Sequence, residues 1–460
     1  RVRSSAASDL YKRQIYGDDI IHLKRSQRKM RKGRNFMKKQ DAQYRGYVTL
    51  LKKELVPAMG CTEPIAIAYA AAQAAARLKE DIKQVDIYAS GNIIKNVKSV
   101  TVPNTGGRKG IQSAAAIGII AGDPTLGLEV ISHVRTEQIA QMEAFLEKTA
   151  VYVHHEQCSC ALQVGVRVSG DKHTVLVCIQ NEHSNIVRIE EDGRCVLDKE
   201  ARKDTQEQLD AMQFSMQGIY EFAEIADLAD VKEILDRQIQ CNTAIAEEGL
   251  AHSYGANIGS VLLSTYGDSV QIRARALAAA GSDARMSGCE LPVIINSGSG
   301  NQGMTCSLPV IAYARELQSS EEQLYRALLI SNLSTLYQKK YIGRLSAYCG
   351  AVSAGAGAGA GIAYLLGGDY DHICHAIVNA LAITSGMICD GAKPSCAAKI
   401  ATAVDAGIMG CMMYQKGKQF YRGEGIVCRD IEETIMGVGQ LARDGMKETD
   451  DEIIKLMIQN

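Results

Sequence analysis

The chain contains no tryptophan and only five phenylalanines in 460 residues, and its 14 cysteines include no closely spaced CxxC pair. That is a poor composition for a secreted disulfide scaffold and fits a reduced cytoplasm. Net charge is also lacking, at −1, so nothing global points to a nucleic-acid partner. No apolar core of signal-peptide length marks the N-terminus. The uncharged run Ala351 to Gly368 spans 18 residues, near the lower limit for a membrane span, but its Ala and Gly content gives weak transfer energy. No membrane association is expected. There is no GK[ST] phosphate loop, and the glycine spacing does not match a dinucleotide fingerprint.

What is present divides unevenly. Residues 1–36 carry eleven Lys and Arg against three Asp, and the remainder holds 40 basic and 49 acidic residues. This stretch reads either as an extension outside the native protein or as a basic interaction arm. Residues 37–80 have helical periodicity, with Val48, Leu51 and Leu55 on one stripe, and are expected to form N-terminal helices packed on a catalytic domain. Residues 81–200 read as a smaller α+β domain. Its expected strands are 85–88, 99–102, 128–133, 152–155, 161–168, 174–180 and 186–190, with helices over 112–121 and 137–148. Residues 201–460 read as a helical domain. The fold class is therefore α+β, mainly helical, with an inserted smaller α+β domain; 460 residues suffice for two or three such units.

The chemistry concentrates between Ser346 and Ala406. Cys349, Cys389 and Cys396 punctuate this stretch, the last two around an Asp-Gly-Ala-Lys-Pro turn where a sulfur can face a ligand while the backbone stays close. Three converging thiolates would form a metal or cluster site with one position open; isolated buried cysteines that merely fill space are the alternative. Cys158 and Cys160, after His154 and His155, make a weaker zinc pattern with no second pair at finger spacing.

Two loops add to the picture. Gly60-Cys61-Thr62-Glu63-Pro64 opens a helix, a location expected to lower the Cys61 thiol pKa and to offer N–H groups to an anion; an ordinary turn capped by Thr62, with Cys61 filling space, is the alternative. Asn296-Ser297-Gly298-Ser299-Gly300-Asn301-Gln302-Gly303 would expose successive N–H groups suited to a carboxylate, or be a flexible loop. The Gly355–Gly361 alternation of Gly and Ala reads as a helix with a very small face.

Several long words then carry a resemblance. GCTEPIAIAYA (Gly60 to Ala70), SGNIIKN (Ser90 to Asn96), VPNTGG (Val102 to Gly107), INSGSGNQG (Ile295 to Gly303), GRLSAYCGAVSAGAGAGAG (Gly343 to Gly361) and SGMICDGAKPSCAAK (Ser385 to Lys399) occur in one order. From about Met37 onward the chain resembles the L-cysteine desulfidases, which belong with the iron-sulfur L-serine dehydratases through their alpha-chain domain.

The resemblance implies a [4Fe-4S] cluster on Cys349, Cys389 and Cys396. It implies splitting of L-cysteine to pyruvate, ammonia and hydrogen sulfide without pyridoxal phosphate, with Cys61 as a catalytic thiolate or base. Thr62, Glu63, Asn296, Ser297, Asn301 and Gln302 are then the expected substrate contacts, with Lys340 or Arg344 supplying charge. The partners expected are a small amino-acid substrate and a second copy of the chain in a homo-oligomer, a dimer. The rivals are an L-serine dehydratase, a pyridoxal-phosphate lyase using Lys393 or Lys399, and an iron-sulfur redox sensor drawing on Cys289, Cys306, Cys411 and Cys428.

Overall fold

A computed structural model describes residues 37–156, 158, 160–199 and 212–459. The basic segment 1–36 and the expected domain junction at 200–201 lie outside the described residues. Within them a six-stranded sheet occupies the first half and a helical assembly the second.

The sheet is built from β2 (Gln84–Ala89), β3 (Ala150–His155), β4 (Gln163–Ser169), β5 (Thr174–Gln180), β6 (Ile186–Glu191) and β7 (Arg194–Asp198), in the order β3-β2-β4-β5-β6-β7. Only β2 and β3 run parallel. The crossover that this requires holds the helices Gly91–Val97, Ile111–Ala121 and Thr136–Lys148. Alternation sets the faces: Val164, Val166 and Val168 on β4 and Val175, Val177 and Ile179 on β5 are buried.

Two expected strands do not form. Residues 99–102 contribute only a single bridge, Thr101 to Lys109, and 128–133 is a short 3-10 helix over Gly127–Glu129 followed by turns. Both are apolar because they are buried, with Val100, Val102, Val130 and Ile131 inside. Burial alone does not distinguish a strand from a packed loop.

The first N-terminal helix, Ala42–Glu54, packs on the helical half, with Tyr47 stacked on Phe222 at 5.0 Å between centroids. The second, Thr62–Ala75, differs from expectation: it lies against β4, β5 and the Ile111–Ala121 helix. Its small residues explain this, since a Cβ on Gly118 would overlap the carbonyl of Ala68.

A second, two-stranded ribbon pairs β1 (Pro57–Met59) antiparallel with β8 (Pro292–Ile294). It joins the Cys61 loop to the loop after β8, and Thr62 Oγ1 reinforces the junction by donating to the Gly298 carbonyl at 2.9 Å.

In the helical half, the Gly350–Leu365 helix is buried among neighbours that include Cys396–Gln415, Glu321–Ile342 and Gly300–Leu317. Its alternating glycines permit contact between backbones. Cβ atoms on Gly355 and Gly359 would overlap the carbonyls of Ala403 and Gly407 on the Cys396–Gln415 helix. One helix among the described residues, Cys396–Gln415, is long and apolar enough to cross a membrane by length and composition, and 56% of its apolar window is buried inside the fold.

Candidate active site

Close packing of these two helices aligns their N-termini. Cys349 is the residue immediately before one and Cys396 the first residue of the other. Cys389 is brought in by backbone pairing, its N–H donating to the Ala347 carbonyl at 2.6 Å while the Cys349 N–H donates to Met387 at 3.0 Å. The three thiols line a single cavity, together with Cys61, Glu63, Ser297, Asn301, Gln302 and Arg344.

Burial, followed by the neighbouring Cys389, pushes the Cys349 thiol up to about 12, and burial also raises Cys396. Such thiols hold their protons until a cation displaces them. The two helix N-termini and Lys339, which also lines the cavity, supply compensating positive charge. Among the described residues no three His, Cys, Asp or Glu side chains are close enough to hold one metal ion. Three thiols around one cavity are a donor set of the kind an iron-sulfur cluster takes.

Opposite them, Glu63 is buried and fully engaged. Its Oε2 accepts from the Cys61 thiol at 2.9 Å and from Thr62 Oγ1 at 3.2 Å; its Oε1 accepts from Asn96 Nδ2 at 3.0 Å and lies 3.7 Å from His183 Nε2. Burial works to raise its pKa, yet His183, the Cys61 thiol and Arg285 together hold it at about 2. Cys61 responds in the opposite sense. Burial and then the Glu63 charge drive its pKa well above the ordinary thiol value. The expected low-pKa thiolate is thereby corrected: desolvation and an adjacent carboxylate outweigh the helix N-terminus.

Three expected contacts stand outside the cavity lining. Thr62 fastens the Gly298 carbonyl, and Asn296 is fully buried, its Nδ2 donating to the Asn332 carbonyl and side chain at 3.2 and 3.1 Å. Lys340 lies over the Tyr341 ring at 5.3 Å, and its neighbour Lys339 is the lysine that faces the cavity. Arg344 reaches the cavity but is committed to Glu54 at 2.6 Å.

The loop after β8 is less open than its composition suggests, because Asn296 and Ser299 spend their N–H groups on each other's carbonyls. Its tip holds Ser297 at φ 52°, a left-handed conformation uncommon outside glycine that marks a constrained site.

Four lining residues, Asn96, His183, Arg285 and Lys339, were not singled out by sequence. His183 follows β5 in a hairpin turn, and Arg285 sits in the Val270–Met286 helix; no motif marks either position. The other thiol patterns lie elsewhere. Cys158 and Cys160 bond to backbone carbonyls, and Cys160 also donates to Asn181 Oδ1 at 3.0 Å. Cys306 and Cys411 are buried away from the cavity, and Lys393 and Lys399 both pair with Asp390.

The fold is mainly helical α+β, and three thiols share one cavity with a buried Cys-Glu pair. The model of the serine dehydratase alpha chain family matches residues 125–455, and the chain belongs to that family. A protein of Desulfitobacterium hafniense named UPF0597 is 55% identical over 428 residues, covering 92% of this chain and 99% of its own. UPF0597 proteins of Lachnoclostridium phytofermentans and Finegoldia magna are 51% and 48% identical, each covering 90% of this chain and 100% of their own.

Proposed function

We propose that the chain is an iron-sulfur-dependent lyase that converts L-cysteine to pyruvate, ammonia and hydrogen sulfide. The observation that carries this reading is the shared cavity of Cys61, Glu63, Cys349, Cys389 and Cys396. Cys349, Cys389 and Cys396 would hold the cluster, which when bound supplies an iron with an open position, a Lewis acid toward the leaving sulfur.

The remaining steps belong to the chain's own groups. Cys61 rests as a thiol, and its proton leaves to solvent through the 2.9 Å bond to Glu63 Oε2, which at about 2 passes a proton on rather than keeping it. The resulting thiolate, strongly basic because it is buried, takes the α-proton of the substrate. The electron pair left on Cα forms the Cα–Cβ double bond as hydrosulfide leaves Cβ. The aminoacrylate so formed tautomerises to an imine, and water hydrolyses it to pyruvate and ammonia. Ser297, Asn301 and Gln302 present polar groups to the substrate from the same cavity.

L-Serine is the competing substrate, favoured by the family's description; the same site would then expel hydroxide. A pyridoxal-phosphate lyase draws less support, since Lys393 and Lys399 are tied to Asp390. All fourteen cysteines are free.

The test is anaerobic purification followed by iron and acid-labile sulfide analysis, with L-cysteine and L-serine turnover measured on one preparation beside Cys389→Ser. About four irons and four sulfides per chain, with sulfide release lost in the variant, support the reading. Iron-free protein that still releases sulfide overturns it, and faster turnover of L-serine transfers the assignment to the dehydratase.

A further inference from the structure

Of the two arginines lining the cavity, Arg344 is the one whose sequence position suggests a substrate counter-charge, and it is occupied. Its Nη2 lies 2.6 Å from the buried Glu54 carboxylate and 3.7 Å from Glu182. Arg285 presents a different arrangement. It is only 2% exposed, and its Nη1 donates to Asn301 Oδ1 at 3.1 Å. Its Nε and Nη2 are buried with no hydrogen-bond partner.

Those two nitrogens form one edge of the guanidinium. Their N–H groups run parallel, at the spacing that matches the two oxygens of a carboxylate. Asn301 fixes the plane of the fork by holding the third nitrogen. Gly300 keeps the edge uncovered, since a Cβ there would stand 2.5 Å from Nε and 2.9 Å from Cζ. A charged group left buried with two unsatisfied donors is costly, and the cost disappears when a ligand supplies the acceptors.

The same cavity holds a complementary orphan. Gln302 Oε1 is buried without a donor, beside Gly350, where a Cβ would lie 2.6 Å from the Gln302 amide carbon. An unsatisfied pair of donors and an unsatisfied acceptor together complement a zwitterion.

We propose that Arg285 is the carboxylate receptor of this cavity. It binds the α-carboxylate of a free amino acid through Nε and Nη2, while Gln302 Oε1 accepts a hydrogen bond from the α-ammonium group. The site therefore selects free α-amino acids over their esters and amides. The inference rests on the lyase reading for which amino acid enters, whereas the carboxylate recognition stands by itself.

The test uses the iron-loaded full-length protein and isothermal titration with L-alanine, which carries both charged groups but no leaving group, against L-alanine methyl ester. The ester binds about 100-fold more weakly or worse if the fork is the receptor. Equal affinities, or no binding of L-alanine, overturn the proposal, and this comparison needs no variant. Arg285→Gln is expected to lose L-alanine affinity to a similar degree and Arg285→Lys to fall between, both judged at unchanged iron content; affinity within twofold of wild type in a folded Arg285→Gln overturns the assignment.

The two readings fail separately. Protein that binds L-alanine but releases no sulfide from L-cysteine loses the lyase assignment and keeps the receptor. Protein that releases sulfide equally well from L-cysteine and its methyl ester keeps the lyase and loses the receptor.

Discussion

The Cys61 thiol donates a 2.9 Å hydrogen bond to Oε2 of Glu63, two residues further on at the start of the same helix. Both side chains are buried, and the bond sets their charges in opposite senses. Glu63 is held at about 2 and Cys61 well above its ordinary value. At neutral pH the pair rests as carboxylate and thiol, with a proton acceptor already in contact.

Replacing Glu63 with Gln removes that acceptor while keeping the shape. Turnover of L-cysteine should fall by roughly 100-fold or more, the usual scale of a lost general-base path, with iron content unchanged. Wild-type turnover in this variant would take Glu63 out of the proton route.

Glu63 also links stability to pH. Its folded pKa of about 2 lies below the ordinary 4.5, so its ionisation adds stability that is fully present above 4.5 and is lost as the pH falls through the folded value. In urea titrations the stability gap between wild type and Glu63→Gln should be widest near about pH 7 and shrink by about pH 3. A gap that stays constant would assign the difference to packing rather than charge.

Gly355→Ala places a methyl group against the Ala403 carbonyl. The Gly350–Leu365 and Cys396–Gln415 helices must then separate, which carries Cys349 away from Cys396. A loss of about 1–3 kcal/mol is expected from the overlap, accompanied by lower iron retention. Thermal melting and iron analysis on the same sample measure both, and a full iron complement at wild-type stability would show that the helices do not need this contact.

Arg344→Ala strands the Glu54 carboxylate, which is 5% exposed in its side chain. The expected cost is about 3 kcal/mol of folding stability, partly recovered when Glu54→Gln is added. Chemical denaturation of the single and double variants checks this. Recovery absent in the double variant would mean that the ion pair is not the source of the loss.

The three cavity cysteines were legible because each stands in a long, distinctive word around a turn, and the structure carries all three to one place. The lysine assignment missed by one residue. Successive helix positions diverge by about 100°, so Lys339 meets the cavity and Lys340 meets the Tyr341 ring. Arg285 and His183 had no local signal. One lies in an alanine-rich helix, the other in an ordinary hairpin turn, and only tertiary contact gives either a role. β1 and β8 were unreadable for a related reason: strands of three residues with a proline in each take their identity from their partner. The Cys61 pKa was read from its helix N-terminus alone, whereas burial and Glu63 decide it.

The pairing of β1 with β8 also fixes an order in time. A chain made from its N-terminus exposes Cys61 well before Pro292–Ile294 exists to pair beside it, and Cys396 comes later still. During that interval Cys61 lacks both the ribbon and the facing wall of its cavity. The walls meet only after nearly the whole polypeptide has been synthesised, so this thiol's surroundings are completed late in the making of the chain.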